Sequence, residues 1–338
     1  MLLERILFRT GVLAYLRRQW RDDQQQADRK VEARVAKSLQ AQADRIEGTI
    51  ALQRRIHRLE REVQYLRATA LFNAQHRERR HDGDVFGGPH VATHVAQAVA
   101  AARLDTDPMP HMVIADLVPV ATYAALVDAI PPHEFFSDKD PRKQNFRRSE
   151  KSVAPEWTQT AMGFMEEHLI PDLLVPALMR AFGSHIQSTY ATSYGPALGP
   201  QVAGLPHVAS AGRLMLRRRG YHLDPHLDPR RVVVTCLIYF ARAGDSEAFG
   251  TTFFRIDGDP VIDRRNTFYP EAHGLRCSFV KAAPFRPNTA VAFLNAGGAH
   301  GADIPKTAPK ETERYSYQFY ISPEPAALAA LLGEPETP

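Results

Sequence analysis

The stretch Tyr221-His222-Leu223-Asp224-Pro225-His226-Leu227-Asp228 decides the reading of this 338-residue chain. On an extended strand, side chains at i and i+2 share a face, so His226 and Asp228 reach one metal ion without a bend in the backbone. A third ligand then has to come from another strand. His300 follows the short apolar run Thr-Ala-Val-Ala-Phe-Leu at 289–294 and the small-residue loop at 295–299, so it sits where the chain leaves a strand. Two imidazoles and one carboxylate form the set that binds Fe(II) on one triangular face and leaves the opposite positions open. The pattern points to iron-dependent oxygen chemistry.

Arg314 opens the next strand candidate, Arg-Tyr-Ser-Tyr-Gln-Phe-Tyr-Ile at 314–321, with aromatics at alternate positions. A guanidinium on a strand beside a metal is a bidentate clamp for a carboxylate co-substrate. These residues, in this order, resemble the Fe(II)/2-oxoglutarate-dependent dioxygenase superfamily and, within it, the prolyl 4-hydroxylase-like branch. The resemblance rests on Tyr221-x-Leu223-x-Pro225-His226-x-Asp228, the apolar run at 232–240, and the distal His300 with Arg314, and it covers residues 111–323.

The resemblance implies that His226, Asp228 and His300 are the iron ligands and the catalytic centre, and that Arg314 pairs with the far carboxylate of 2-oxoglutarate. It implies a mainly β fold with helices: a double-stranded β-helix, or jelly roll, of about eight strands, with supporting helices on one side. The expected reaction hydroxylates an organic substrate while 2-oxoglutarate is split to succinate and CO2, with ascorbate as a candidate reductant. The Tyr that often supports 2-oxoglutarate on the strand before the first ligand has no clear counterpart. Arg213, Arg217 and Tyr221 are the candidates for that role. The substrate class stays open between a small molecule and a peptidyl or glycan-linked group. The long loop at 257–273, with Arg264, Arg265, Phe268 and Tyr269, is expected near the mouth.

Two rivals compete for the ligand positions. His222-Leu223-Asp224 repeats the motif, and a fully extended segment would place it on the same face. His226 and Asp228 are preferred because they follow Pro225 and lie a short turn before the apolar run at 232–240, which leaves His222 as a neighbour in the cleft. His273-Gly274 competes with His300, but it lies in the polar 257–273 stretch and lacks both the strand before it and the Arg-headed strand after it.

Composition agrees with one large domain and an appendage. A hydrophobic content of 44% is enough to bury a sizeable core. Cys236 and Cys277 make no disulfide framework, and no apolar run reaches membrane-span length or forms a clean signal-peptide core, so a reducing, cytoplasmic setting is expected. Residues 1–80 hold eighteen Lys and Arg against ten Asp and Glu, so the basic character belongs to the N-terminal segment. There Leu52, Ile56, Leu59, Val63, Leu66 and Ala70 recur at three- and four-residue steps, the seam of a coiled coil within one long helix or two over 22–78. Self-association into a homo-oligomer is expected. Residues 1–21 read as a basic helix with a broad apolar side, suited to an anionic membrane surface or to another helix. Acids mixed among the basic residues, with no reading module, argue against nucleic acid.

The expected organisation is thus a basic coiled-coil segment at 1–80, a linker and short helix at 81–110, the jelly-roll domain at 111–323 and a tail at 324–338. Helices are expected at 91–103 and 122–130, a strand at 112–117, and two helical stretches within 156–183 divided near Pro171. Residues 137–152 read as a charged loop in which Arg147 and Arg148 are weak candidates for an anionic substrate. The competing class is a non-catalytic jelly-roll scaffold or membrane-associated assembly protein organised by its helix. A metal hydrolase on the same ligands gives Arg314 no role.

Overall fold

The computed structural model describes residues 12–76, 83–137, 140–150, 154–258 and 266–333. Most of the expected basic helix at 1–21, together with Arg264 and Arg265, therefore lies outside the described residues. The chain divides into two compact units, Met1–Gln64 and Tyr65–Pro338. The first is carried by the single helix Val12–Gln75, which has no Pro and is rich in Ala, Gln, Glu and Arg. Gly48 does not interrupt it. Its apolar seam, Leu52, Ile56, Leu59 and Val63, is exposed. In the second unit the last turns of that helix use a different stripe: Tyr65 stacks on Phe135 at 5.1 Å, Phe72 is buried, and Ala68 packs beside them.

Twelve strands among the described residues build two antiparallel sheets. They are β1 (Leu104–Asp105), β2 (His111–Ile114), β3 (Lys143–Phe146), β4 (His207–Ala209), β5 (Arg213–Arg218), β6 (His222–His226), β7 (Val234–Tyr239), β8 (Thr252–Asp257), β9 (Arg276–Ala282), β10 (Thr289–Leu294), β11 (Gly298–Asp303) and β12 (Glu313–Pro323). The large sheet runs β1-β2-β10-β7-β12-β5-β3, with β4 also on β12, and the small sheet runs β6-β11-β8-β9. This is the double-stranded β-helix, with helices covering one side of the large sheet.

Period-two patterning assigns the two faces of the large sheet. Leu214, Leu216, Cys236, Ile238, Ala290, Ala292, Tyr315, Tyr317 and Phe319 join the helices in one core. Each large apolar side chain removed from water there contributes about 1.5–3 kcal/mol. The alternate residues face the small sheet: Met215, Leu237, Tyr239, Val291 and Phe293 meet Phe253 and Phe285 in a second core. The aromatics expected at alternate positions after Arg314 are therefore the helix-facing set, and Arg314, Gln318 and Tyr320 line the interior cleft.

Three segments differ from the sequence reading. The charged loop at 137–152 contains β3, which pairs with β5 from Lys143↔Arg217 to Phe146↔Leu214. Its polar composition hides an edge strand anchored by one buried aromatic, Phe146. Pro171 does not divide the helical stretch: Glu156–Phe164 continues through a π-helical segment, Met165–Leu174, into Val175–Phe182. The wider turn accommodates a residue that lacks an N–H donor. The expected tail carries a short helix, Pro325–Leu332, capped by Glu324, whose carboxylate accepts from the N–H groups of Ala326 and Ala327.

Candidate metal centre

His226, Asp228 and His300 converge from different segments into one buried group, each offering a ligand atom within 4.8 Å of the others. His226 ends β6, Asp228 lies two residues on, and His300 sits on β11 as the register partner of His226. Leu227, between the two ligands, points the other way into a small core with Ile256, Phe268 and Ala299. Its N–H and C=O both bond Phe268, at 2.9 Å each, which holds this segment extended. The i, i+2 geometry expected from the sequence is therefore present on His226 and Asp228. His300 stands inside a strand of its own, past a short turn that carries the chain from β10 in the large sheet to β11 in the small one, rather than at the exit of the apolar strand.

A slip in strand pairing separates the His226–Asp228 pair from the His222–Asp224 repeat. The β6–β11 register shifts by one residue between His300↔His226 and Ala302↔Leu223. The extra residue on β6 reverses the alternation, so Leu223 and His226 both line the cleft while His222 and Asp224 are exposed. His222 bonds Asp303 and Asp224 at 2.9 Å each, and the Asp303 bond, with Asp224 adding to it, raises its pKa. It is not a neighbour within the cleft. His273 is bonded to the Tyr269 carbonyl at 2.9 Å and stacked on Phe268, outside the group. Gly301 permits the close approach at the slip, because a Cβ there would lie 2.7 Å from the Leu223 carbonyl oxygen.

The ligands are held in the right electronic state. His226 Nδ1 lies 2.9 Å from the Asp224 carbonyl. A carbonyl only accepts, so Nδ1 carries the proton and Nε2 keeps its lone pair for a metal. Burial, with His226 beside it, holds His300 well below the ordinary imidazole range and keeps it neutral. Its Nε2 is 3.7 Å from Asp228 Oδ2, and its ring packs on Phe293 at 4.4 Å. Thr235 donates to Asp228 Oδ2 at 2.6 Å. Asn295 Nδ2 donates to the carbonyls of Asp228, Pro229 and Val232 at 2.8, 3.0 and 3.1 Å, tying the turn after the ligand pair. Sequence reading missed both residues. A Thr inside the otherwise apolar run at 232–240 and a buried Asn after 289–294 were the signals available.

The same cleft, about 180 Å3, is lined by Arg314, Arg217, Arg213 and Tyr221. Arg314 is 2% exposed and lies between the rings of Tyr239 and Phe285, 5.2 Å from each centroid. Its Nε donates to the Phe249 carbonyl and its Nη1 to Ser316 Oγ, while Nη2 is buried with no partner. Arg217 lies over Tyr221 at 5.0 Å, and Arg213 donates to Gln318. Tyr320 stands beside Asp228, and burial followed by that charge pushes its phenol up to about 12. Tyr269, from the loop at 257–273, packs 5.6 Å from His226 at the cleft wall. Arg147 and Arg148 do not line the cleft, and Arg148 pairs with Glu166 and Glu167.

The donor set fits iron and 2-oxoglutarate. Two imidazoles and a carboxylate are a facial set for Fe(II), and a buried, unpartnered guanidinium nitrogen in the same cleft calls for an anion.

No family model matches the chain, and no curated protein matches it. Solved structures similar to it include HygX from Streptomyces hygroscopicus with nickel, 2-oxoglutarate and hygromycin B bound, at 15% identity over 63% of this chain and 82% of that one, with a TM-score of 0.37. A Pseudomonas putida prolyl-4-hydroxylase is similar at 14% identity over 70% of this chain and 100% of that one, with a TM-score of 0.37. The alpha-ketoglutarate-dependent epimerase SnoN from nogalamycin biosynthesis is similar at 13% identity over 73% and 91% of the two chains, with a TM-score of 0.38.

Proposed function

We propose that this protein is a non-heme Fe(II)- and 2-oxoglutarate-dependent dioxygenase that hydroxylates an organic substrate with release of succinate and CO2. The observation that carries the reading is Arg314: a fully buried cation with an unpartnered Nη2, in the cleft that also holds the His226, Asp228 and His300 group. Leaving a buried charge unpaired is costly, and a ligand carboxylate is the natural partner for a planar fork already fixed between two rings.

In this reading His226 Nε2, His300 and Asp228 hold the iron, which supplies oxygen activation when bound. Thr235 and the Asp224 carbonyl fix the orientation of two of the ligands. Arg314 binds the far carboxylate of 2-oxoglutarate, with Tyr221 and Arg217 next to it on the same wall. Phe293, packed on His300, and Leu237, which lines the cleft, would exclude water from the reacting centre. The test is anaerobic addition of Fe(II) and 2-oxoglutarate. A weak visible charge-transfer band from the chelate is expected, and its absence with metal correctly loaded would favour a scaffold.

A further inference from the structure

Lys143, Arg217 and Arg314 form one row across three adjacent strands. Lys143 is the register partner of Arg217 on β3 and β5, and Arg217 is the register partner of Arg314 on β5 and β12. All three line the cleft, and Arg213 joins them further along β5. Like charges directly opposite one another on a sheet are destabilising, so such a row needs a compensating anion. Asp228 is the one carboxylate among the described lining residues, and it belongs to the metal group.

The contrast with cations elsewhere in the fold is direct. Arg218, next along β5 but facing outward, pairs with Glu313 at 3.1 Å; Arg142 pairs with Asp140 at 2.9 Å, and Arg148 with Glu167. Arg217, at 2% exposure, meets neutral acceptors: Nη1 donates to the Gln144 and Leu216 carbonyls at 2.7 and 3.1 Å, and Nη2 to Asn145 Oδ1 at 3.1 Å. Its Nε has no partner. Burial works against its charge and Arg314 and Arg213 add repulsion, which the Tyr221 phenol beside it offsets in part. In the dioxygenase reading the far carboxylate of 2-oxoglutarate pairs with Arg314 at the inner end of the row, which leaves the charges of Arg217 and Lys143 to a second anion.

We propose that the hydroxylated substrate carries an oxyanion, a carboxylate or a phosphate, and that Lys143 and Arg217 bind it beside 2-oxoglutarate. The inference rests on the dioxygenase reading for the role of Arg314. Lys143 lies exposed on the edge strand and Arg217 buried behind it, so the anion is met at the mouth by a flexible ammonium and seated on a fixed fork.

The experiment uses the full chain loaded anaerobically with Fe(II) and 2-oxoglutarate, and reads the thermal midpoint in chloride, inorganic phosphate or acetate at equal ionic strength. A ligand that binds only the folded state raises the midpoint by mass action. Phosphate or acetate is expected to raise it above chloride. Lys143→Ala should weaken the apparent anion affinity by about tenfold, a change of about 1.4 kcal/mol, and Arg217→Met should remove the shift. Lys143 is exposed, so its variant keeps the test readable if Arg217→Met does not fold. A response to phosphate and not acetate assigns a phosphate ester, and the reverse assigns a carboxylate. The proposal is overturned if neither anion exceeds chloride, if the shift is undiminished in the variants, or if a shift is seen only in a parallel sample loaded with Fe(II) and no 2-oxoglutarate. The charge-transfer band read in the same samples separates the two readings: an anion shift that depends on Lys143 without any band keeps the anion site and removes the dioxygenase.

Discussion

The three candidate ligands make the sharpest claims at the scale of single side chains. In the dioxygenase reading His226→Ala, Asp228→Ala or His300→Ala each removes one of three protein bonds to the metal, so each is expected to lose iron and succinate production. His222→Ala and His273→Ala are expected to retain iron, because the first faces Asp303 in solvent and the second stacks on Phe268. Metal analysis of the purified variants decides this, and iron loss in His222→Ala with retention in His226→Ala would reverse the ligand choice. Arg314→Lys keeps the charge but loses the fork wedged between Tyr239 and Phe285. Its apparent affinity for 2-oxoglutarate should fall by roughly tenfold or more, about 1.4 kcal/mol, with iron affinity little changed. Titration of the charge-transfer band measures it, and an unchanged affinity would take Arg314 out of the site. The ligand types and their order are legible in the sequence because metal geometry imposes them. The partners that orient them are not: Thr235 and Asn295 act through hydrogen bonds across gaps of 7 and 67 residues, which only the folded register reveals.

At the scale of elements, the slip between β6 and β11 decides which of two identical motifs faces inward. A period-two reading places His222, Asp224 and His226 on one face, and one extra residue on β6 overturns it. The local marks of the shift in the sequence are Pro225, which has no N–H to donate to the ladder, and Gly301 opposite it. Gly301→Ala would force a Cβ to 2.7 Å from the Leu223 carbonyl, so β6 and β11 must separate. A destabilisation of about 1–3 kcal/mol is expected, together with weaker iron binding because His226 and His300 lie next to the slip. Denaturant melts and metal titration check both parts; wild-type stability and iron affinity in the Gly301→Ala variant would show that the pairing absorbs the strain elsewhere. β7 and β10 are readable as short continuous apolar runs because both of their faces are buried, one under helices and one in the core between the sheets, and β12 by the aromatics that alternate on its helix-facing side. The edge strand β3 is not, because a single buried Phe146 anchors an otherwise polar segment.

At the scale of the whole molecule, the exposed seam from Leu52 to Val63 is the feature that calls for a partner. A lone helix with such a stripe is not stabilised in water. We propose that the chain self-associates through it, as a dimer or trimer. Light scattering on the full chain at micromolar concentration is expected to give an oligomer, and a monomer would rule out the coiled-coil reading. A chain shortened to begin at Tyr65 should be a smaller species that still binds iron, whereas one beginning at Val91 loses Tyr65, Phe72 and Phe86 from the core and should be less stable. No helix among the described residues is long and apolar enough to cross a membrane. The Asn295 amide has a consequence for how the molecule meets its metal. It grips the backbone just after β6 and just before β7 while itself following directly on β10, so it ties the two sheets together beside the candidate ligands. The ligand cage is therefore set during folding, and iron uptake should be a single concentration-dependent step with no slow rearrangement after it.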